Sequence, residues 1–153
     1  MKIGKTNRHH ILIYREPEVI FNVLTEFDHF KYWIPLEQMT VERVTFGEFR
    51  IGTTFHFKLR YRIEPEWDSE VILIERPYRI AYRFLNGIFE GGREIWDLKK
   101  NESGTEVTHT LIYQIHRWIY KIGWTFLGGE RKHNELTETA LKRLKSYVEG
   151  APR

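Results

Sequence analysis

Cysteine is absent from all 153 residues. That excludes disulfides, thiol nucleophiles and cysteine-based zinc or iron–sulfur sites. The chain must hold together by packing alone, and residues 1–153 suffice for one domain with a substantial core. No apolar run approaches the ~20 residues that a membrane-spanning helix needs. The opening MKIGKTNRHHILIY has no long apolar stretch running into small residues, so no secretion signal is expected and the expected location is cytoplasmic. Charge of one sign is scarce too: 24 Lys and Arg against 21 Asp and Glu give a net charge of +3, a weak argument for nucleic acid as a partner. HExxH and GxSxG do not occur, and His9-His10 has no further ligand at a defined spacing. No metal or cofactor is therefore expected.

Aromatic residues, in contrast, are plentiful: five Trp, eight Tyr and ten Phe make up 15% of the chain. So many rings either fill a large core or line an apolar cavity. Composition leaves both open.

Residues 8–14 (RHHILIY) read as a strand. Pro17 suits the first turn of a helix, where its missing N–H costs nothing. Ile20, Val23, Leu24 and Phe27 then follow at i, i+3, i+4 and i+7. Residues 28–34 predict a second short helix, ended by Pro35, which disfavours helical geometry at Ile34. From residue 38 the period becomes two. QMTVERVTF (38–46), TTFHFKLRYRI (53–63), residues 67–75, YRIAYRFL (78–85), IFEGGREIWDL (88–98) and EVTHTLIYQI (106–115) are strand candidates. Asn86-Gly87 signals a hairpin, and Gly91-Gly92 predicts a bulge inside the following strand. The chain closes with a long helix over roughly 129–149, with a stripe of His133, Leu136, Ala140, Leu144, Tyr147 and Val148. This is an α+β pattern in which an antiparallel meander has one long helix available to cover its apolar face.

The order resembles the helix-grip fold of the START-like superfamily, also known as SRPBCC, which includes polyketide cyclases/dehydrases and lipid-transfer domains. The resemblance rests on PEVIFNVLTEFDHFKYWIP, with its Pro-Glu, Val-Phe, Leu and Trp-x-Pro opening, and on Gly52-Thr53 before the long strand. It continues through Trp67, Val71, Pro77-Tyr78-Arg79 and Gly87, then Trp96, Leu98, Gly104-Thr105 and Val107. Leu141, Leu144-Lys145 and Val148-Glu149 complete it. It implies a curved antiparallel sheet of about seven strands wrapped around the C-terminal helix, with two short helices after strand 1. The departure is HRWIYKIGWTFLGG (116–129), which carries four aromatics before the terminal helix.

Such a fold usually encloses a cavity. Its wall is expected from Phe55, Phe57, Leu59 and Tyr61 on one strand, and Tyr82 and Phe84 on another. Trp96, Leu111 and Tyr113 follow from the closing strands. Phe30 and Trp33 belong to the second short helix, Trp124 to the departure segment, and His133, Leu136 and Ala140 to the terminal helix. Polar anchors in register with this face are Glu94, which shares parity with Trp96, and His109, which shares parity with Leu111. A bulge at Gly91-Gly92 would instead turn Glu94 to water, and a structural role for His109 is the alternative to a functional one. Burying a carboxylate demands a partner, protonation or a place at the cavity mouth.

These observations imply a protein that binds or carries a small hydrophobic ligand, of lipid, polyketide or isoprenoid type, without a cofactor. The alternative is a cyclase/dehydratase-type enzyme with Glu94, His109 and Tyr113 moving protons. A second alternative is a ribosome- or RNA-associated role through the basic side of the terminal helix. Residues 117–127 are either a segment packed over the cavity end or a peripheral membrane contact.

Overall fold

The computed structural model describes residues 5–61 and 64–150. Strand β1 (Lys5–Ile13) leads into helix α1 (Pro17–Thr25) and, through a 3-10 turn at Phe27–His29, into the single-turn helix α2 (Phe30–Trp33). Pro17 opens α1 as expected, and Ile34 is extended (φ −75°, ψ 132°) before Pro35. Six strands follow: β2 (Met39–Arg43), β3 (Thr54–Leu59), β4 (Glu66–Glu75), β5 (Arg79–Phe84), β6 (Arg93–Lys100) and β7 (Thr105–Tyr113). Helices α3 (Trp118–Phe126) and α4 (Gly129–Gly150) complete the described chain.

The strands form one antiparallel sheet in the order β1-β7-β6-β5-β4-β3-β2. The chain runs as a meander from β2 to β7 and closes against β1. The sheet curls around α4, whose backbone lies closest to β1, α1, α2 and α3. This is the helix-grip architecture implied by the sequence.

The core lies between the sheet, α1, α2 and α4. Phe21, Phe55, Ile20, Ile80, Leu144 and Val148 are fully buried in it. Burying each such side chain contributes about 1.5–3 kcal/mol, and together they fix which faces of α1 and α4 turn inward.

Several boundaries differ from expectation. The strand foreseen over 88–98 begins only at Arg93, because residues 85–92 form a wide turn. Asn86 holds that turn to β4: its carbonyl accepts from the Asp68 N–H at 2.8 Å, and its amide donates to the Asp68 carboxylate at 2.8 Å. Gly91-Gly92 therefore precedes β6 and does not bulge within it. A Cβ on Gly92 would sit 2.8 Å from the Ile112 carbonyl, so close backbone packing explains that glycine. The strand foreseen over 53–63 ends at Leu59, with Tyr61 in a bend; residues 62 and 63 lie outside the described ones. The segment 117–127 is mainly helix α3, not a loop; the side chain of Phe126 is outside the described part.

On α4 the fully buried row is Thr137, Leu141, Leu144 and Val148. Of the expected stripe, His133, Leu136, Ala140 and Tyr147 are half-buried. The helix is rotated slightly from the orientation its apolar pattern suggests. The small polar Thr137, which carries no apolar signal, is the first residue of the buried row.

Candidate functional site

Strand register assembles the site. His9, His109, Trp96 and Ile80 stand opposite one another across β1, β7, β6 and β5. The neighbouring row is Asn7, Leu111, Glu94 and Tyr82. Because β6 starts after the Gly91-Gly92 turn, its alternation is unbroken, and Glu94 shares the inward face with Trp96. Glu94 and His109 are diagonal neighbours on this face, which places them together.

Their contact is direct. Glu94 Oε2 lies 3.6 Å from His109 Nε2, a contact longer than a regular hydrogen bond. Glu94 Oε1 accepts a hydrogen bond from Trp96 Nε1 at 2.9 Å, and the Trp96 ring meets His109 edge-on at 4.7 Å. Burial alone would raise the pKa of Glu94. The N–H groups of His109 and Trp96 and the nearby imidazole of His133 outweigh it and hold the carboxyl below its usual value. Glu94 is therefore an ionised group inside an aromatic setting. It also pushes the Tyr82 hydroxyl upward, adding to the larger effect of that residue's burial.

His133 of α4 faces this pair. Its ring centroid is 6.3 Å from that of His109 and 6.4 Å from those of His9 and Phe89. Burial first, then the His109 and His9 rings, lower the His133 pKa to about 4 against the pull of Glu94. His9 is lowered too, chiefly by burial and then by His109. His9 and His133 are thus neutral at pH 7.

Four buried side-chain atoms here have no hydrogen-bond partner: Asn7 Oδ1, His9 Nδ1, His109 Nδ1 and Trp124 Nε1. All belong to the end of the molecule where β1 and β7 meet α3 and α4. Asn7 spends its amide N–H on Asn134 Oδ1 at 2.8 Å, and Trp124 Nε1 lies near the Tyr113 hydroxyl without making a regular bond to it. Orphaned buried polar groups are rare and each costs about 1–3 kcal/mol. Here the four are closed off from solvent and left uncompensated within the protein.

Apolar walls flank this cluster on two sides. On one, Trp33 meets Trp96 at 5.6 Å, and Phe30 and Phe55 continue the ring chain at 5.1 Å. On the other, Phe84, Leu111 and Tyr113 pack with Trp67, Phe89 and Trp124. Phe57 stacks on Trp67 at 5.6 Å, and Leu59 at the end of β3 is half-buried. Tyr61 leaves the sheet face: its hydroxyl donates to the Leu127 carbonyl at 2.5 Å and ties down the α3–α4 turn.

Tyr113 stands four residues along β7 from His109, about 13 Å at strand spacing. The tyrosine in register beside Glu94 is Tyr82. The pair Glu94–His109 is thus brought together, and Tyr113, on the other side of Leu111, is the second diagonal neighbour of Glu94 on this face. Asn7, His9, Phe89 and Thr137 are further residues of the region. The parity of β1, in which Asn7, His9, Ile11 and Ile13 alternate, could have found the first two. Phe89 sits in a turn and has no periodic signal.

Among the described residues, clefts open on the surface of about 760 Å³ on the outer sheet face and about 430 Å³ between α1 and the β2–β3 connection. Neither is lined by Glu94 or His109. The second has Phe27, Phe49 and Phe55 in its wall, and Phe49 and Phe55 both contact Tyr82. Among the described residues, no group of three or more His, Asp or Glu side chains is arranged to hold a metal ion.

Comparison with known proteins fits this architecture. A family model described as "Activator of Hsp90 ATPase homolog 1-like protein" matches residues 15–149. Among curated proteins none matches the chain. The Zhui aromatase/cyclase from a Streptomyces species is similar with a TM-score of 0.76 at 16% identity, over 95% of this chain and 94% of that one. A protein of Thermus thermophilus is similar at 0.75 and 21%, over 94% and 97% of the two chains. The ginseng major latex-like protein 151 from Panax ginseng is similar at 0.73 and 9%, over 99% and 100%. At such identities these structures share the fold.

Proposed function

The chain belongs to the Activator of Hsp90 ATPase homolog 1-like family, and from that premise we propose that it binds or carries a small, mainly apolar molecule with one neutral hydrogen-bonding end. The observation that carries this reading is the set of four unpartnered polar atoms around Glu94 and His109, set between aromatic walls. Glu94 keeps 27% of its side-chain surface accessible, and Leu136 and Ala140 on α4 are half-buried, as a ligand site between sheet and helix would require.

The chemistry of the orphaned atoms narrows the ligand. Trp124 Nε1 only donates, Asn7 Oδ1 only accepts, and each imidazole nitrogen does one or the other according to tautomer. A hydroxyl, which donates and accepts, satisfies such a set. A carboxylate does not: Glu94 is ionised and the imidazoles of His9 and His133 carry no charge at pH 7. On this reading the ligand is an alcohol or phenol of lipid, polyketide or isoprenoid type. Native mass spectrometry of protein purified without denaturation, followed by tryptophan-fluorescence titration with a matched long-chain alcohol and acid, tests this. The alcohol should bind at least about tenfold more tightly. Equal binding of both, or of neither, contradicts the reading.

A second reading is a cyclase/dehydratase-type enzyme. With Nε2–H turned to Glu94, His109 presents the lone pair of Nδ1, and a neighbouring carboxylate is what holds a histidine in a defined tautomer for proton abstraction. The named activity of the Zhui aromatase/cyclase, which shares the fold, is in line with it. His109→Gln should then lower conversion of a polyketide-like ketone far more than it weakens its binding; no conversion by the unaltered protein removes this reading. The RNA-associated reading gains little, because two cations of α4 are engaged by carboxylates: Arg143 clamps Glu37 and Lys145 bonds Glu149.

A further inference from the structure

Helix α3 turns apolar side chains both inward and outward. At 3.6 residues per turn, Tyr120, Gly123, Trp124 and Leu127 lie on one side, and all four are half-buried. Trp124 meets Phe89 at 5.1 Å, Tyr113 at 5.5 Å and His133 at 6.3 Å, so this side roofs the polar cluster. Gly129 makes the approach feasible, since a Cβ there would lie 2.5 Å from the Trp124 ring. The opposite side carries Trp118, Ile119 and Ile122, exposed by 73%, 59% and 47%. Lys121 and Thr125 complete that exposed arc.

A globular protein gains nothing from a tryptophan and two isoleucines held together in water on one turn of helix. Their occupant is indicated by charge. Between Glu106 and Glu130 the chain has no acidic residue, and its cations there are Arg117 and Lys121, flanking the exposed rings and branched chains. Tryptophan and isoleucine bordered by Arg and Lys, without carboxylates, suit the boundary of an anionic bilayer. A basic or neutral protein surface would gain no such charge match, and a second copy of this chain would bring Arg117 and Lys121 against their like.

We propose that the outer side of α3 rests on anionic membranes, with Trp118, Ile119 and Ile122 entering the headgroup region and Arg117 and Lys121 meeting lipid phosphates. Because the inner side of the same helix covers the Glu94–His109 cluster, the contact places the ligand site next to the bilayer. The ligand would then be drawn from lipid, a step that rests on the binding function proposed above; the membrane contact itself does not.

Vesicle flotation tests it, using phosphatidylcholine vesicles with and without phosphatidylglycerol. The protein should float with the mixed vesicles about tenfold more than with pure phosphatidylcholine, and added salt should release it. The double variant Trp118→Asp/Ile122→Asp should lose flotation while keeping its melting temperature, since both residues are exposed, and Lys121→Glu should weaken flotation. Alcohol titration in solution, run on the same variants, should be unchanged. No flotation of the unaltered protein, equal flotation of the double variant, or a solution dimer that the double variant dissociates would each overturn the proposal. Failure of the alcohol titration with flotation intact would sink the binding function and leave the membrane contact standing.

Discussion

If the protein binds a ligand as proposed, Glu94 is the residue that sets which charge the interior accepts. Its carboxylate is held ionised by Trp96 and by the imidazoles beside it, so a second negative charge placed there would be repelled. Glu94→Gln retains an acceptor for Trp96 Nε1 and removes the charge. The preference for an alcohol over the matched acid should shrink by about tenfold, equivalent to about 1.4 kcal/mol, as read from the ratio of two fluorescence titrations. An unchanged ratio would show that Glu94 does not face the ligand. His133 makes a second prediction. Its folded pKa of about 4 lies below its ordinary 6.5, so the unfolded chain takes up the proton first. Its contribution to stability is complete above pH 6.5 and lost as pH falls toward 4, up to about 3 kcal/mol. His9 and Glu94, both lowered, add in the same acid direction. Urea melts of the unaltered protein and of His133→Gln should therefore converge as pH falls from 7 to 4; parallel pH profiles would contradict this.

Elements hold these residues in place, and the turn between α3 and α4 is the most exacting of them. Gly128 has a positive φ of 72°, Gly129 allows Trp124 to close on the start of α4, and Tyr61 bonds the Leu127 carbonyl. Gly129→Ala should displace Trp124 and cost about 1–3 kcal/mol by overpacking, with a change in tryptophan emission. Wild-type emission and stability would show the contact to be slack. In the core of α4, Leu144→Ala removes a fully buried side chain and should cost about 2–5 kcal/mol in a denaturant melt; a loss under 1 kcal/mol would place Leu144 outside the core. Much of this level was legible beforehand. Pro17, Pro35 and the period-two runs place α1, α2 and the strands, and strand parity alone puts Glu94 on the face of Trp96 and His109 beside Leu111. What was not legible depends on spatial neighbours. Asn86 bonds Asp68 eighteen residues away and opens a wide turn where Asn-Gly suggests a tight one. Thr137 has no apolar signal yet lies on the buried side of α4, and Tyr82 joins Glu94 only through the β5–β6 register.

At the scale of the whole molecule, the curled sheet and α4 behave as a shell around a mixed interior. Toward α1 and α2 it is packed with fully buried rings and aliphatic chains. Toward α3 it contains ionised Glu94, two neutral histidines and unpartnered polar atoms. The central claim is that this second region is hollow and receives a ligand. Leu136, half-buried on α4 next to Thr137, is the place to test it. One measurement serves: thermal unfolding of Leu136→Trp, with and without the long-chain alcohol. If the region is hollow, the added ring fills it, the melting temperature without alcohol is kept or raised, and the stabilisation that the alcohol gives the unaltered protein disappears. If the interior is solid, overpacking lowers stability by about 1–3 kcal/mol and the alcohol shifts neither protein, which would contradict the account.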